Sequence, residues 1–495
     1  MDSIADGHKS ISERLVTSAV VTIITLTSIV LMLSCTSPEL SWDEADYASN
    51  TTASWRFLWS RFDYERHGHG PMTIYLAKLG QQILPAGTFS IEVRLRLFNV
   101  LVASVAVGLL YWMLRRCFRT SRAAALAGTS LLLFSVIRLE ETNIIGPHHL
   151  MLACTLAIVA LGYHWRDRPT LQAALGLGAV IGFGALSMAY VIPAALFWAV
   201  AVALSGKGWF AWDRASFKVS WGILGMLLTA GIILLALWPP GVIHHRVLTD
   251  FLLYTRYPPF PTLVGSRYGF PSRSAVIYWL AHLDAPILVF SFPVILLALW
   301  KAFSSGRLSS KQRYLTVFLV FFLITMLAAH LAGARNMLQF VGVLCLATGA
   351  LFDEALGHRT KLVWVTSAAV IILGALNLIW HFQSSSYTPY LGTNGFRGFL
   401  TENKKRAAEK SKALVAGVPI LKFYARQSGI PLSWDLSEMP WNSPPPSDIK
   451  YVLMPAVIYT YTPASRDIAQ HWKVVWSFKS DRAWELRLYE KPNAP

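Results

Sequence analysis

Charge is what this sequence has least of. Only 14% of its 495 residues are Asp, Glu, Lys or Arg, against about 25% in an ordinary soluble protein. The shortage excludes a water-soluble globular fold for most of the chain, since such a fold covers its surface with charge. Cysteine is scarce as well. Cys35, Cys117, Cys154 and Cys345 lie in or beside apolar runs without Cys-x-x-Cys spacing, so neither a disulfide framework nor a thiolate zinc site is implied. No internal repeat is visible, and with it goes the sequence mark of an inverted-repeat transporter. Acidic residues are outnumbered, 27 against 44 Lys and Arg, for a formal net charge of +17. On a soluble chain that excess would suggest nucleic acid. Here the basic residues gather in short loops between apolar runs, as the positive-inside rule expects, and no nucleic-acid partner follows.

What is plentiful is apolar: 54% of the residues are hydrophobic. Many runs reach the ~20 residues of a membrane helix. They predict about eleven spans, near 15–35, 95–114, 123–137, 148–165, 171–188, 190–205, 219–238, 284–300, 314–331, 336–352 and 361–381. Every second loop is short and basic: Arg115, Arg116, Arg119 and Arg122; Arg166 and Arg168; Lys207, Arg214 and Lys218; Lys301, Arg307, Lys311 and Arg313. These loops and the N-terminus belong in the cytoplasm by that rule. The opposite face then carries a first outer loop (36–94), a second (239–283) and the tail. The tail has a lysine-rich helical stretch near 401–413 and strand-like runs at 414–418, 451–454, 473–478 and 484–489. The fold class is therefore a polytopic α-helical membrane protein. A transmembrane part, 1–381, precedes a small extracytoplasmic α/β domain, 382–495. A site in the first outer loop would stand independently of that tail.

Chemistry-bearing residues cluster on the outer side. Ser41-Trp42-Asp43-Glu44-Ala45-Asp46-Tyr47 has the form of a capping box, with Ser41 capping a helix and Glu44 returning the bond. Capping occupies Ser41 and Glu44 only. Asp43, Asp46 and Tyr47 share one helix face at i, i+3 and i+4, where a general base can meet an acceptor hydroxyl. Tyr64-Glu65-Arg66-His67-Gly68-His69-Gly70-Pro71-Met72 packs two imidazoles and a guanidinium among glycines. Arg and protonated His bind phosphate oxygens, and Gly admits a ligand close to the backbone; the plainer alternative is a surface turn. Arg94 and Arg96, then Arg138, Glu140, Glu141, His148 and His149, then His330 and Arg335, stand at the outer ends of other spans. Arg246, Arg256, Arg267 and Arg273 lie in the second loop. Singly each reads as a headgroup anchor; together they line one face with cations, as an anionic lipid substrate would require.

The acid pair after the first span, the His/Pro element about 25 residues on, and Arg96-Leu97 through Tyr111-Trp112-Met113-Leu114-Arg115-Arg116 resemble the GT-C membrane glycosyltransferases. Within them the likeness is to the bacterial dolichyl-phosphate-mannose-protein mannosyltransferase-like and ArnT-like branch. It is specific over 40–125 and architectural over 126–381. It implies an inverting transfer of a hexose or pentose from a polyprenyl-phosphate donor to a lipid, polysaccharide or protein of the cell envelope, at the outer face of a bacterial inner membrane. By the same resemblance Asp43 is the catalytic base and Glu44 its organising partner. Arg66, His67, His69, Arg96 and Arg335 would hold the donor phosphate. Asp46, Tyr47, Arg138, Glu141, His148, Arg256, Arg267 and His330 are the further substrate-binding candidates. No cofactor is firmly implied, although a divalent metal is compatible with the His pair and the acids. Two departures stand out: His69-Gly70-Pro71 replaces Lys-Pro-Pro, and Gly146-Pro147-His148-His149 stands where relatives carry an acid.

A membrane transporter or lipid flippase is the alternative, and a scaffold with a partner-binding tail is a third reading. A transport pathway needs ionisable residues at mid-membrane, whereas here they collect at one surface. A scaffold leaves the Asp43 cluster without a purpose.

Overall fold

The computed structural model describes residues 2–35, 39–60, 70–139, 145–167, 169–188, 191–204, 214–244, 275–306, 308–328, 337–357, 359–383, 395–438, 444–455, 463–479 and 485–492. Helix α1 (Asp2–Cys35) leads into a first outer loop folded as α2 (Trp42–Asn50), α3 (Trp55–Ser60) and α4 (Met72–Ile83). Then come α5 (Ile91–Arg116), α6 (Arg122–Leu133), the single turn α7 (Val136–Leu139), α8 (His148–Asp167), α9 (Leu171–Ala185), α10 (Val191–Leu204), α11 (Arg214–Leu237) and α12 (Pro239–Ile243). After them follow α13 (Ala275–His282), α14 (Ala285–Ser304), α15 (Ser310–Ala328), α16 (Leu338–Ala355) and α17 (Thr360–Gln383). The tail holds α18 (Phe396–Glu402), α19 (Lys404–Ala408), β1 (Lys412–Val415), α20 (Val418–Gln427), β2 (Asp435–Glu438), β3 (Tyr451–Pro455), α21 (Pro463–His471), β4 (Lys473–Lys479) and β5 (Glu485–Glu490).

Each apolar run of the sequence is helical where it is described. Among the described residues five helices are long and apolar enough to cross a membrane: Ser12–Cys35, Ile91–Arg116, Ala285–Ser304, Leu338–Ala355 and Thr360–Gln383. Arg122–Leu133, Leu171–Ala185, Val191–Val202 and Trp221–Leu237 are apolar but shorter. The run at 123–137 breaks after Leu133, and Asp284, just ahead of α14, accounts for the break. Its carboxylate accepts bonds from Ser135 Oγ (2.6 Å) and the Val136 N–H (2.7 Å), and so caps α7 from outside the run. At the other end, Ser121 caps α6 and is itself held by Asp353 at the end of α16, at 2.6 Å through both its N–H and its hydroxyl. Helix α16 is buried almost throughout, packed against α14, α6 and α8. The lipid-exposed helices surround it, and Leu227, Ile232, Leu296, Trp300, Val365 and Trp380 face outward.

The tail closes as a five-stranded sheet of order β2-β1-β3-β5-β4, with β1 parallel to β2 and β3, and β5 antiparallel to β3 and β4. Strands β3, β4 and β5 fall on the runs predicted for them. The helical stretch stops at Ala408, and β1 opens at Lys412, ahead of its predicted start. Strand β2 is Asp-Leu-Ser-Glu and lacks an apolar alternation to announce it.

The central strands β1, β3 and β5 are buried on both faces. Leu414, Val452, Met454 and Tyr489 pack with Ile468 of α21. Ala413, Val415, Tyr451, Leu453, Leu486 and Leu488 face the other way, into a cluster that also contains Leu40, Ala45, Tyr47, Ala48, Leu58, Ile74 and Leu95. The tail and the α2–α4 segment thus share one apolar core.

Candidate active site

The site is built on the first turn of α2. Ser41 is its N-cap, with extended backbone (φ −69°, ψ 171°), and the reciprocal box with Glu44 is formed. Glu44 does more than close the box. Its carboxylate accepts from the Ser41 N–H (2.9 Å), from Arg96 Nε (3.0 Å) and Nη2 (2.6 Å), and from the Ile145 N–H (3.3 Å). Arg96 Nη2 also donates to the Glu39 carbonyl at 2.9 Å. Both side chains of the pair are buried. Burial pushes the Glu44 carboxyl up, but the Arg96 charge and hydrogen bonds and the two backbone N–H groups outweigh it and hold it below the ordinary value. A charge buried at this depth survives only when paired and fully hydrogen-bonded. One carboxylate therefore joins α2, α5 and the segment before α8.

A second set of contacts brings α4 to the same place. The Gly70 N–H donates to the Ser187 carbonyl (3.1 Å) and the Met72 N–H to that of Leu186 (3.2 Å). Ser187 Oγ donates in turn to the Pro147 carbonyl at 2.9 Å. Only glycine fits at position 70, because a Cβ there would stand 2.0 Å from the Leu186 oxygen. At the far end of α2, buried Lys78 donates to the carbonyls of Thr51 (2.7 Å) and Ala53 (2.8 Å), which fixes where the chain leaves the helix. Burial lowers the Lys78 pKa.

The predicted site residues are placed as follows. Asp43 stands in the first turn of α2, with its side chain outside the described residues. Asp46 is half-buried one turn on, and Tyr47 is buried in the cluster shared with the tail. Arg96 is brought to Glu44. His148 opens α8, buried, two residues after Gly146. Arg138 is turned away: wholly buried, it donates to the carbonyls of Leu132 (2.9 Å) and Leu133 (2.8 Å) and to Ser28 Oγ (3.1 Å), and so staples α6 and α1. Arg66, His67, His69, Glu141, Arg256, Arg267, His330 and Arg335 lie outside the described residues, as does Glu140. Among the described residues no group of three or more His, Cys, Asp and Glu is arranged to hold a metal.

Glu39 was not singled out from the sequence, and His149 was noted there only among its neighbours. Glu39 accepts from the N–H groups of Phe396 (3.1 Å) and Arg397 (3.2 Å), and burial raises its pKa. His149 is 2% exposed, and among the described residues neither ring nitrogen has a hydrogen-bond partner; the Arg138 and Glu44 charges act on it. The sequence offers no reason to prefer one histidine of the pair over the other. Glu39 was hidden because its partners lie more than 350 residues downstream.

Residues 68–238 match the family model described as dolichyl-phosphate-mannose-protein mannosyltransferase. No curated protein matches the sequence. Among solved structures, ArnT from Cupriavidus metallidurans bound to undecaprenyl phosphate is similar with a TM-score of 0.54 at 14% identity, over 96% of this chain and 98% of that one. The Archaeoglobus fulgidus oligosaccharyltransferase, in complex with Zn and sulfate, is similar with a TM-score of 0.53 at 11% identity, over 95% of this chain and 73% of that one. The resemblance to the GT-C transferases of the mannosyltransferase-like and ArnT-like branch therefore holds, by family model over 68–238 and by fold over nearly the whole chain.

Proposed function

We propose that this protein is a membrane glycosyltransferase that moves a sugar from a polyprenyl-phosphate donor to a cell-envelope acceptor at the outer face of the membrane. The observation that carries the reading is the four-way grip on Glu44, which holds the first turn of α2 against the outer end of α5 beside the start of α8. A grip of this kind supports one fixed position for the backbone of the neighbouring Asp43. The solved ArnT of the same fold carries undecaprenyl phosphate, which supports a lipid-phosphate donor.

In the transfer an acceptor hydroxyl oxygen attacks the anomeric carbon, and Asp43 takes its proton. The bond from that carbon to the phosphate oxygen breaks, and the electron pair leaves with the polyprenyl phosphate. One displacement inverts the anomeric centre. The departing phosphate needs positive charge more than a proton, and Arg66, His67, His69 and Arg335 are the candidates to supply it. Arg96 is committed to Glu44 and the Glu39 carbonyl, and its role is to position the acid pair. With histidines in place of a lysine, the permanent charge of the phosphate site would come from Arg66 and Arg335.

The test is to compare envelope extracts by mass spectrometry with and without the protein, and to assay the purified protein on the donor so identified. Asp43→Asn should insert normally and lose transfer by at least about 100-fold. Full activity in that variant would remove Asp43 from the role of base.

A further inference from the structure

The strand of chain that leads into α2 is gripped by the tail. Tyr424 of α20 is buried, 1% exposed, in the shared apolar cluster. Its hydroxyl accepts from the Leu40 N–H (2.8 Å) and donates to Glu92 Oε1 (2.8 Å). Arg397 of α18 pairs with the same Glu92 carboxylate and lies over the Tyr424 ring, 4.7 Å from its centroid. One residue earlier, the Glu39 carboxylate accepts the N–H groups of Phe396 and Arg397, at the start of α18.

The same stretch of chain is held from another side by α5. Arg96 takes the Glu39 carbonyl, and through Glu44 it fixes the Ser41 N–H. Residues 39–41 therefore have their side-chain and N–H groups pinned by the tail and by α5 at once. A segment held by α5 alone could pivot about Arg96; held from both sides, it gives the first turn of α2 one position. A phenylalanine would fill the Tyr424 site more cheaply, because a buried hydroxyl has to be hydrogen-bonded to be tolerated. Within the described bonds, the hydroxyl is spent on Leu40 and Glu92. Burial keeps the phenol pKa high, so it stays neutral and can donate and accept at once.

We infer that the tail acts as a clamp on the catalytic turn, and that Tyr424 is a positioning residue for the transfer, acting through Leu40 and Ser41 on Asp43. The inference rests on the glycosyltransferase reading. Its consequence is specific: loosening the clamp displaces the base without touching the donor phosphate site. Misplacement by about 1 Å costs on the order of 100-fold in rate.

The experiment uses the full-length protein in liposomes with a polyprenyl-phosphate sugar donor, alongside hydrogen exchange read by mass spectrometry. In Tyr424→Phe, exchange of the amides of 40–50 should rise about tenfold, the equivalent of one lost hydrogen bond. Exchange in the interior of α5 and in β3 should stay unchanged. Turnover should fall about 10- to 100-fold, with the donor KM within about twofold of wild type, as expected when an interaction of the transition state alone is lost. Glu39→Gln, which keeps size and weakens the acceptor, should move both readouts the same way by less, and it carries the test if Tyr424→Phe fails to fold. An unchanged exchange pattern, a loss spread evenly over all helices, or a change in KM with kcat intact would each overturn the clamp. Absence of transfer by the wild-type protein would sink the glycosyltransferase reading, while the exchange result would still decide whether the tail holds α2.

Discussion

At the scale of single residues, Glu44 and Arg96 occupy a place where neither charge is tolerable alone. The pair is bidentate, and the remaining oxygen capacity of the carboxylate is met by two backbone N–H groups. Removing one partner leaves the other buried without compensation, which costs about 3–5 kcal/mol. Glu44→Gln should therefore lower the thermal midpoint in detergent well beyond what loss of a capping interaction alone, about 1 kcal/mol, would do. The pH dependence follows from the direction of the shift. The folded protein keeps Glu44 ionised to lower pH than the unfolded chain, whose carboxyl titrates near about 4.3. The contribution is complete above that value and is lost as pH falls through the lowered folded pKa. Glu39 works in the opposite sense. Its folded pKa is raised, so stability declines as pH rises from the ordinary carboxyl range through the raised value. Glu44→Gln should flatten the acid side of the midpoint-against-pH curve; an acid limb as steep as in the wild type would show that the pair is not its source.

At the scale of elements, the helix α4 is seated by contacts that only a bare backbone permits. Gly70 rests on the Leu186 carbonyl, and Gly80 lies against α5, where a Cβ would stand 2.1 Å from the Arg94 oxygen. Gly70→Ala should force the start of α4 off the 186–187 turn and carry with it the adjoining His69, a proposed phosphate contact. The expected result is a folded protein whose KM for the donor rises about tenfold or more while kcat changes less; an unchanged KM would separate Gly70 from donor binding. Such elements also mark what sequence can convey. The spans were legible because about 20 successive apolar residues have one cheap arrangement in lipid. The capping box was legible because Ser41 and Glu44 are three residues apart. Strands β3 to β5 were legible from their apolar, β-prone runs. Arg96 as the partner of Glu44 was not, since 52 residues separate them, and neither was β2, whose Asp-Leu-Ser-Glu becomes a strand only by pairing with β1. The break between α6 and α7 was hidden for the same reason: the acid that caps α7 is Asp284, far along the chain.

At the scale of the whole molecule, the tail and the α2–α4 segment are two stretches of chain with one core, and this geometry makes the sidedness of the protein testable. The tail is bound at the start of α5, through Tyr424 and Arg397 on Glu92. The loop Cys117–Ser121 lies past the other end of the same helix, which runs Ile91–Arg116, 26 residues. At 1.5 Å per residue that helix is about 39 Å long, more than the ~30 Å of hydrocarbon in a bilayer. A residue of the tail and a residue after α5 must then lie on opposite sides of the membrane, whatever the total number of spans. The basic residues choose between the two orientations. By the positive-inside rule, Arg115 and Arg116 in the last turn of α5, with Arg119 and Arg122 beyond, make the cytoplasm the expected side for that end. Lys404 and Arg122 are both exposed and suit labelling. In a Cys117→Ser background, which removes the one native cysteine that is not buried, Lys404→Cys should react with an impermeant maleimide on intact spheroplasts. Arg122→Cys should react only after the membrane is opened. Reaction of both from outside would mean that α5 does not cross. Reaction of Arg122→Cys alone would turn the protein over and put Asp43, and the transfer proposed for it, on the cytoplasmic face.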